Sequence, residues 1–222
     1  PVHLSVPVDL MFASFDANAQ RDERPFNRAP SSAARAWPCP QDLKEILGLL
    51  LKSEKPMLIG GHGVWWSGAE RKLEEVGLAL GIPVYNIPYH QKLLSETSEA
   101  YMGLADVHQY PPSQMALAES DVVIMIGGRL DNQMNFGNPP LFPTTTQLIC
   151  VNGSAEELDL NRAADKTLLS DPGAFLDALA QLKAERRWNL GSDWFNAQRV
   201  RRGEWVEETL AAMHKENEGK SG

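Results

Sequence analysis

Asp121-Val122-Val123-Ile124-Met125-Ile126-Gly127-Gly128-Arg129-Leu130-Asp131 is the stretch that decides how this chain folds. Val122 to Ile126 is an unbroken apolar run with no polar alternation, so both of its faces are covered, as in a parallel sheet. The glycine pair then marks a tight exit. Working outward, Pro56-Met57-Leu58-Ile59 runs into Gly60-Gly61-His62-Gly63, Ile82 to Ile87 forms a further strand, and Gln147 to Val151 another. Lys166 to Leu169 reads as an edge strand. Helical patterns fill the gaps. One is capped by Asp42 and runs to about Ser53, with Leu43, Ile46, Leu47, Leu50 and Leu51 on one face. A second starts at Ser67 or Gly68, carries Leu73, Val76, Leu78 and Leu80, and stops at Gly81. Others cover about 112–119, 155–162 and 172–185. Short apolar strands alternating with helices predict an α/β fold, a Rossmann-like, doubly wound parallel sheet.

The flanks differ from this middle. Val2 to Val8 reads as a strand with no lead-in, and residues 9–40, interrupted by Pro25, Pro30, Pro38 and Pro40, as an extended connector. Residues 192–217 read as one long helix, packing through Trp194, Ala197, Val200, Leu210 and Met213, with Arg199, Arg201 and Arg202 on a solvated face. Both ends look cut. The expected division is 1–39, the end of a preceding domain and connector; 40–185, the α/β domain; and 186–222, a helical linker.

Composition narrows the function. With 21 Lys+Arg against 29 Asp+Glu the net charge is −8, which argues against nucleic acid or an anionic membrane as partner. No apolar run reaches the length of about 20 residues needed to cross a bilayer, and no signal peptide is legible. Cys39 and Cys150 are far apart and form no CxxC, and the five histidines show no ligand spacing, so zinc is not expected. The two cysteines point to a reducing, cytoplasmic setting.

Three turns are candidate sites. Gly60-Gly61-His62-Gly63 joins a strand to a helix, where backbone N–H groups hold phosphate. The dinucleotide fingerprint needs one more glycine, three residues after Gly63, and that position is Trp66. The other reading is a tight strand-to-helix turn. Gly127-Gly128-Arg129-Leu130-Asp131 lies at the carboxyl edge of the sheet, where Arg129 can take a phosphate, a carboxylate such as Asp131, or an acid across a domain interface. Asn152 ends a strand where an acid often binds ribose, or serves as a turn residue before Gly153. His62 and His108 fall in loops near the same edge. No GxSxG elbow or paired acids complete an active site.

Taken in order, several stretches resemble thiamine-diphosphate-dependent enzymes of the acetolactate synthase and 2-hydroxyacyl-CoA lyase type. They are Pro1–Asp9, Lys55–Gly63, Gly81–Val84, Gly103–Gln109, Gly128–Asp131, Phe136–Pro140 and Val151–Leu158. The resemblance implies a central domain of about six strands between a pyrimidine-binding and a diphosphate-binding domain, in a homodimeric or homotetrameric parent. That parent would use thiamine diphosphate and Mg²⁺, bound by the flanking domains, to make or break a C–C bond next to a carbonyl. The activating glutamate and the Mg²⁺ motif are expected outside this chain, leaving the chain alone non-catalytic. The resemblance also offers FAD or ADP as a ligand of this domain, facing Gly60, Gly61, Gly63, Gly103, Gly128, Arg129, Asp131 and Asn152. Asp106 and Gln109 stand where relatives have glycine, and Asn152 and Ser154 where they have acids. These departures weigh against FAD or ADP and point to a vestigial nucleotide site. The competing readings are a free-standing nucleotide-binding or scaffold module and a fragment of a nicotinamide dehydrogenase, the latter opposed by Trp66 and Asn152.

Overall fold

The computed structural model describes Ser5, Asp9 and residues 35–88, 93–184 and 192–219. The chain divides into two compact units, Pro1–Ala34 and Arg35–Gly222, and every element below belongs to the second. The strand expected at 2–8 and the connector up to residue 34 lie almost wholly outside the described residues.

Helix α1 (Pro40–Leu50) buries Leu43, Ile46, Leu47 and Leu50, one stripe at helical spacing. Its N-cap is Cys39, not Asp42, because Pro40 supplies the preset φ of the first turn. Asp42 sits within the first turn and pairs with Lys166 at 2.6 Å. Strand β1 (Pro56–Gly60) is buried throughout. A short helix the sequence did not announce, α2 (His62–Trp66), precedes the helix expected from Ser67 or Gly68, which begins slightly later, as α3 (Glu70–Leu80). Gly68, at φ 60, breaks them apart, and Ser67 turns its hydroxyl back onto the Gly63 carbonyl (2.7 Å) instead of capping forward. Helix α3 buries Leu73, Val76, Gly77 and Leu80, while Leu78 is exposed. Gly81 ends it in the left-handed conformation, as expected.

Strands β2 (Val84–Asn86) and β3 (Tyr101–Leu104), helix α4 (Pro111–Glu119), strands β4 (Val122–Ile126), β5 (Gln147–Asn152) and β6 (Lys166–Leu169), and helices α5 (Pro172–Ala184) and α6 (Ser192–Gly219) complete the unit. The expected helix at 155–162 is only a 3₁₀ turn, Ala155–Glu157, because Asp159 (φ 58) and Asn161 (φ 71) are left-handed. The sheet has six strands in the order β3-β2-β1-β4-β5-β6, all parallel. Strand β3 is an addition to the sequence reading. It is short, carries Gly103 at φ 113, and pairs with β2 across a register shift, so no apolar period announces it.

Because strand side chains alternate between faces, the sheet makes two cores. Leu58, Val84, Ile124 and Ile149 join α1, α3 and α5 on one face. Met57, Ile59, Tyr85, Val123, Met125 and Leu148 join α4 and α6 on the other. Helix α6 is placed by Trp194 and Phe195, whose side chains are buried; the Trp194 indole N–H donates to the Pro56 carbonyl at 2.9 Å. Ala197, Val200, Leu210 and Met213 face outward, contrary to expectation. Arg201 and Arg202 do not form a solvated face either. Arg201 bonds Glu119 at 2.8 Å, and Arg202 bonds the Glu96 carbonyl at 2.8 Å and lies over the Tyr101 ring. The stripe follows residues 194, 195, 198, 201, 202 and 205, which mixes charge with aromatics and so hides from a hydropathy pattern. Among the described residues no helix is long and apolar enough to cross a membrane.

Candidate functional site

The chain reverses direction across the sheet between β1 and β4, which opens a crevice at their carboxyl ends. A cleft of about 500 Å³ lies there, lined by His62, Gly63, Trp66, Gly127 to Arg129, Asp131, Asn152 to Ser154, Glu157 and Asp171. Of the residues expected at a nucleotide, Gly63, Gly128, Arg129, Asp131 and Asn152 line it together. Gly60, Gly61 and Gly103 lie outside the lining. Gly60 packs beneath Leu73 and Leu93. Gly61 meets the opposite turn backbone to backbone, so that a Cβ on it would stand 2.5 Å from Gly128 Cα. Gly103 lies on β3 against the Tyr110 ring, and the Tyr110 hydroxyl donates to the Met102 carbonyl at 2.7 Å.

The two glycine turns are joined by their own hydrogen bonds. Gly61 N–H donates to the Ile126 carbonyl (2.9 Å), Gly63 N–H to that of Gly127 (2.8 Å), and Gly127 N–H to that of Val151 (2.7 Å). Those donors serve the protein and do not point into the cleft. Asn152 is similarly engaged. Its amide donates to the Gly128 carbonyl (3.2 Å) and to Glu157 (2.9 Å), and its carbonyl oxygen accepts from Ser154 N–H (3.0 Å). Arg129 lies 3.6 Å from Glu157, with both side chains well exposed. Asp131 accepts from Gln133 N–H, which starts a 3₁₀ turn. Asp171 caps α5 through Ala174 N–H (2.9 Å) and accepts from the Ser67 hydroxyl (2.9 Å). Asp106, the carboxylate expected near the phosphates, is buried and turned into its own loop, accepting from His108 and Gln109 N–H.

Three carboxylates, Asp131, Glu157 and Asp171, therefore share the cleft with one arginine, already paired. A diphosphate needs free N–H donors and positive charge. As placed, these residues do not fit a dinucleotide diphosphate. Trp66 leaves most of its indole exposed at the rim, edge-on to Trp65 at 4.7 Å. Sequence reading missed Glu157 and Asp171 as lining residues. Asp171 was accessible as a cap three residues before a bonded N–H at the end of β6, whereas Glu157 faces the cleft only through the turn that replaces the expected helix. Among the described residues no three His, Cys, Asp or Glu side chains gather as a metal site.

Residues 43–179 match the family described as thiamine pyrophosphate enzyme, central domain. The chain belongs to that family. This central domain is 26% identical over 178 residues to a probable acetolactate synthase large subunit of Methanococcus aeolicus, covering 77% of this chain and 28% of that protein. It is 29% identical over 163 residues to a 2-hydroxyacyl-CoA lyase of Arabidopsis thaliana, covering 72% and 27%. The crystal structure of benzoylformate decarboxylase from Polynucleobacter necessarius shares its fold, with a TM-score of 0.62 at 18% identity over 75% of this chain and 30% of that one. The chain thus spans less than a third of the length of these curated relatives.

Proposed function

We propose that this chain is the central, non-catalytic part of a larger thiamine-diphosphate-dependent enzyme that makes or breaks a C–C bond next to a carbonyl. The curated relatives named above are a synthase and a lyase, and both are more than three times longer than the stretch they share with this chain. In this reading the flanking pyrimidine- and diphosphate-binding domains hold thiamine diphosphate and Mg²⁺ in a homo-oligomeric, cytoplasmic parent. When bound, that cofactor supplies the carbanion-stabilising chemistry. The central domain contributes architecture, and its cleft is a vestige of a nucleotide site. The observation that carries this is that two of the cleft's expected donors, the Gly63 N–H and the Asn152 amide, are bonded within the protein.

The test has two arms on the purified chain. With thiamine diphosphate, Mg²⁺ and either pyruvate or a 2-hydroxyacyl-CoA, no turnover is expected; measurable turnover refutes the non-catalytic role. Titration calorimetry with ADP and FAD is expected to show no saturable binding below about 1 mM, a level worth only about 4 kcal/mol. A yellow protein, or micromolar binding weakened by Arg129→Ala, would show instead that Gly63, Gly128, Arg129 and Asn152 form a working nucleotide site.

A further inference from the structure

Ser67 and Asp171 line the cleft, and both also hold the chain where it enters the α/β unit. The Ala36 carbonyl accepts from the Asp171 N–H at 2.9 Å and from the Ser170 hydroxyl at 3.0 Å. The Arg35 guanidinium donates to the Ser67 carbonyl at 3.4 Å and stands 3.9 Å from the Asp171 carboxylate. Gly173, in the first turn of α5, leaves room for this arrangement. A Cβ there would lie 3.3 Å from the Arg35 guanidinium, 3.3 Å from the Ala69 methyl and 3.1 Å from Asp171 Oδ1. Glycine is a poorer helix former than alanine, so what it contributes at this position is the space.

The Asp171 side chain ties this entry point to two helices. One carboxylate oxygen caps α5 through Ala174 N–H at 2.9 Å. The other faces the Ser67 hydroxyl at 2.9 Å, and that hydroxyl lies 2.7 Å from the Gly63 carbonyl inside α2. We propose that residues 35–36 are a strap fastened from the cleft wall, coupled to α2 through Ser67 and Asp171, so that loosening either one loosens the other. The guanidinium–carboxylate pair does little alone, because it is long and the arginine is half exposed. The bonds to the Ala36 carbonyl come from the same turn that caps α5, and the shared carboxylate makes the contacts act as a unit. Such coupling is reciprocal, each side shifting the other by the same factor. A displacement of the glycine turn at the cleft is then felt where the chain enters the unit. The device stands whether or not the cleft takes a nucleotide.

The test reads the strap at its own arginine. Trypsin must draw the Arg35 guanidinium into its pocket, so it cuts after Arg35 only when the strap is undone. At low trypsin the rate of that cut, followed as the fragment beginning at Ala36, tracks the open population. In the full 222-residue chain, Ser67→Ala and Ser170→Ala are each expected to raise it by about 3- to 10-fold, the worth of one hydrogen bond. Gly173→Ala is expected to raise it as well, although alanine is the better helix former. In the other direction, Arg35→Ala is expected to speed hydrogen exchange across residues 62–68 by at least about 3-fold. Gly103→Ala, on the strand at the far edge of the sheet, is the control for general destabilisation and is expected to leave the Arg35 cut within about 2-fold of the wild type. A cut rate unchanged by Ser67→Ala overturns the coupling, and so does unchanged exchange in Arg35→Ala. A slower cut in Gly173→Ala, or one raised equally by Gly103→Ala, overturns the strap itself.

Discussion

Gly103 and Gly153 show how little a residue type says about its role. Gly103 sits at φ 113, and a Cβ there would lie 2.3 Å from the Tyr110 ring. Gly153 lies on the cleft with nothing within 4 Å and no left-handed φ. Gly103→Ala should therefore cost about 2–4 kcal/mol through backbone strain and overpacking. Gly153→Ala should stay within about 0.5 kcal/mol. Urea denaturation of the two variants measures the contrast, and equal costs would contradict the described packing of β3. In the sequence Gly103 was expected to face a nucleotide, and Gly153 only to follow a turn asparagine. Only the Tyr110 ring, seven residues further along the chain, distinguishes them. Asp106 is a parallel case. As a letter it put a carboxylate near the glycine turns, but in the structure that carboxylate accepts from N–H groups of its own loop.

At the scale of elements, the irregular segment 131–146 depends on one distant side chain. Arg162 donates to the carbonyls of Gly137 (3.2 Å), Phe142 (3.4 Å) and Thr146 (3.0 Å), and its guanidinium lies 4.5 Å from the Phe142 ring centre. The segment holds Asn135, Phe136 and Gly137 in the left-handed region, so it needs outside support. Arg162→Ala should destabilise the protein by about 2–4 kcal/mol, because charged hydrogen bonds are lost and the carbonyls lose their donor. Arg162→Lys should recover less than half of that, since an ammonium cannot reproduce the planar fork. Hydrogen exchange across 131–146 should rise in both variants. No change there would mean that the segment holds itself. Residue 162 was legible only as the end of an expected helix; the left-handed Asp159 and Asn161 end that helix early and turn the arginine inward.

At the scale of the whole molecule, the two cores hold protonated groups that resist ionisation. Burial pushes the Cys150 thiol from 9.0 up to about 12 and the Tyr101 phenol from 10.0 up to about 12, and raises Tyr85 and Tyr110 as well. A pKa raised by folding gives stability that is complete below the unfolded value and is lost as pH rises toward the folded one. The urea midpoint should thus hold steady as pH approaches about 9 from neutral and fall between there and about 12. Cys150→Val should delay the first part of that fall, because the valine has no proton to lose. A midpoint independent of pH over that interval would contradict the burial of these groups.

The sequence by itself determined the sheet and its class. Strands β1, β2, β4, β5 and β6 and helices α1, α4 and α5 follow from local apolar period and glycine or proline punctuation, which nearby residues alone decide. The ordered motifs from Lys55 to Leu158 likewise carried the family. The tertiary structure alone decided that Gly103 faces a tyrosine, that Asn152 and the glycine-turn donors close on the protein, and that Arg201 and Arg202 bind the sheet side. The physical reason is that a hydrogen bond or a ring contact is set by where two distant segments meet. A long side chain such as arginine presents the same letters whether its charge faces water or lies across a buried ring.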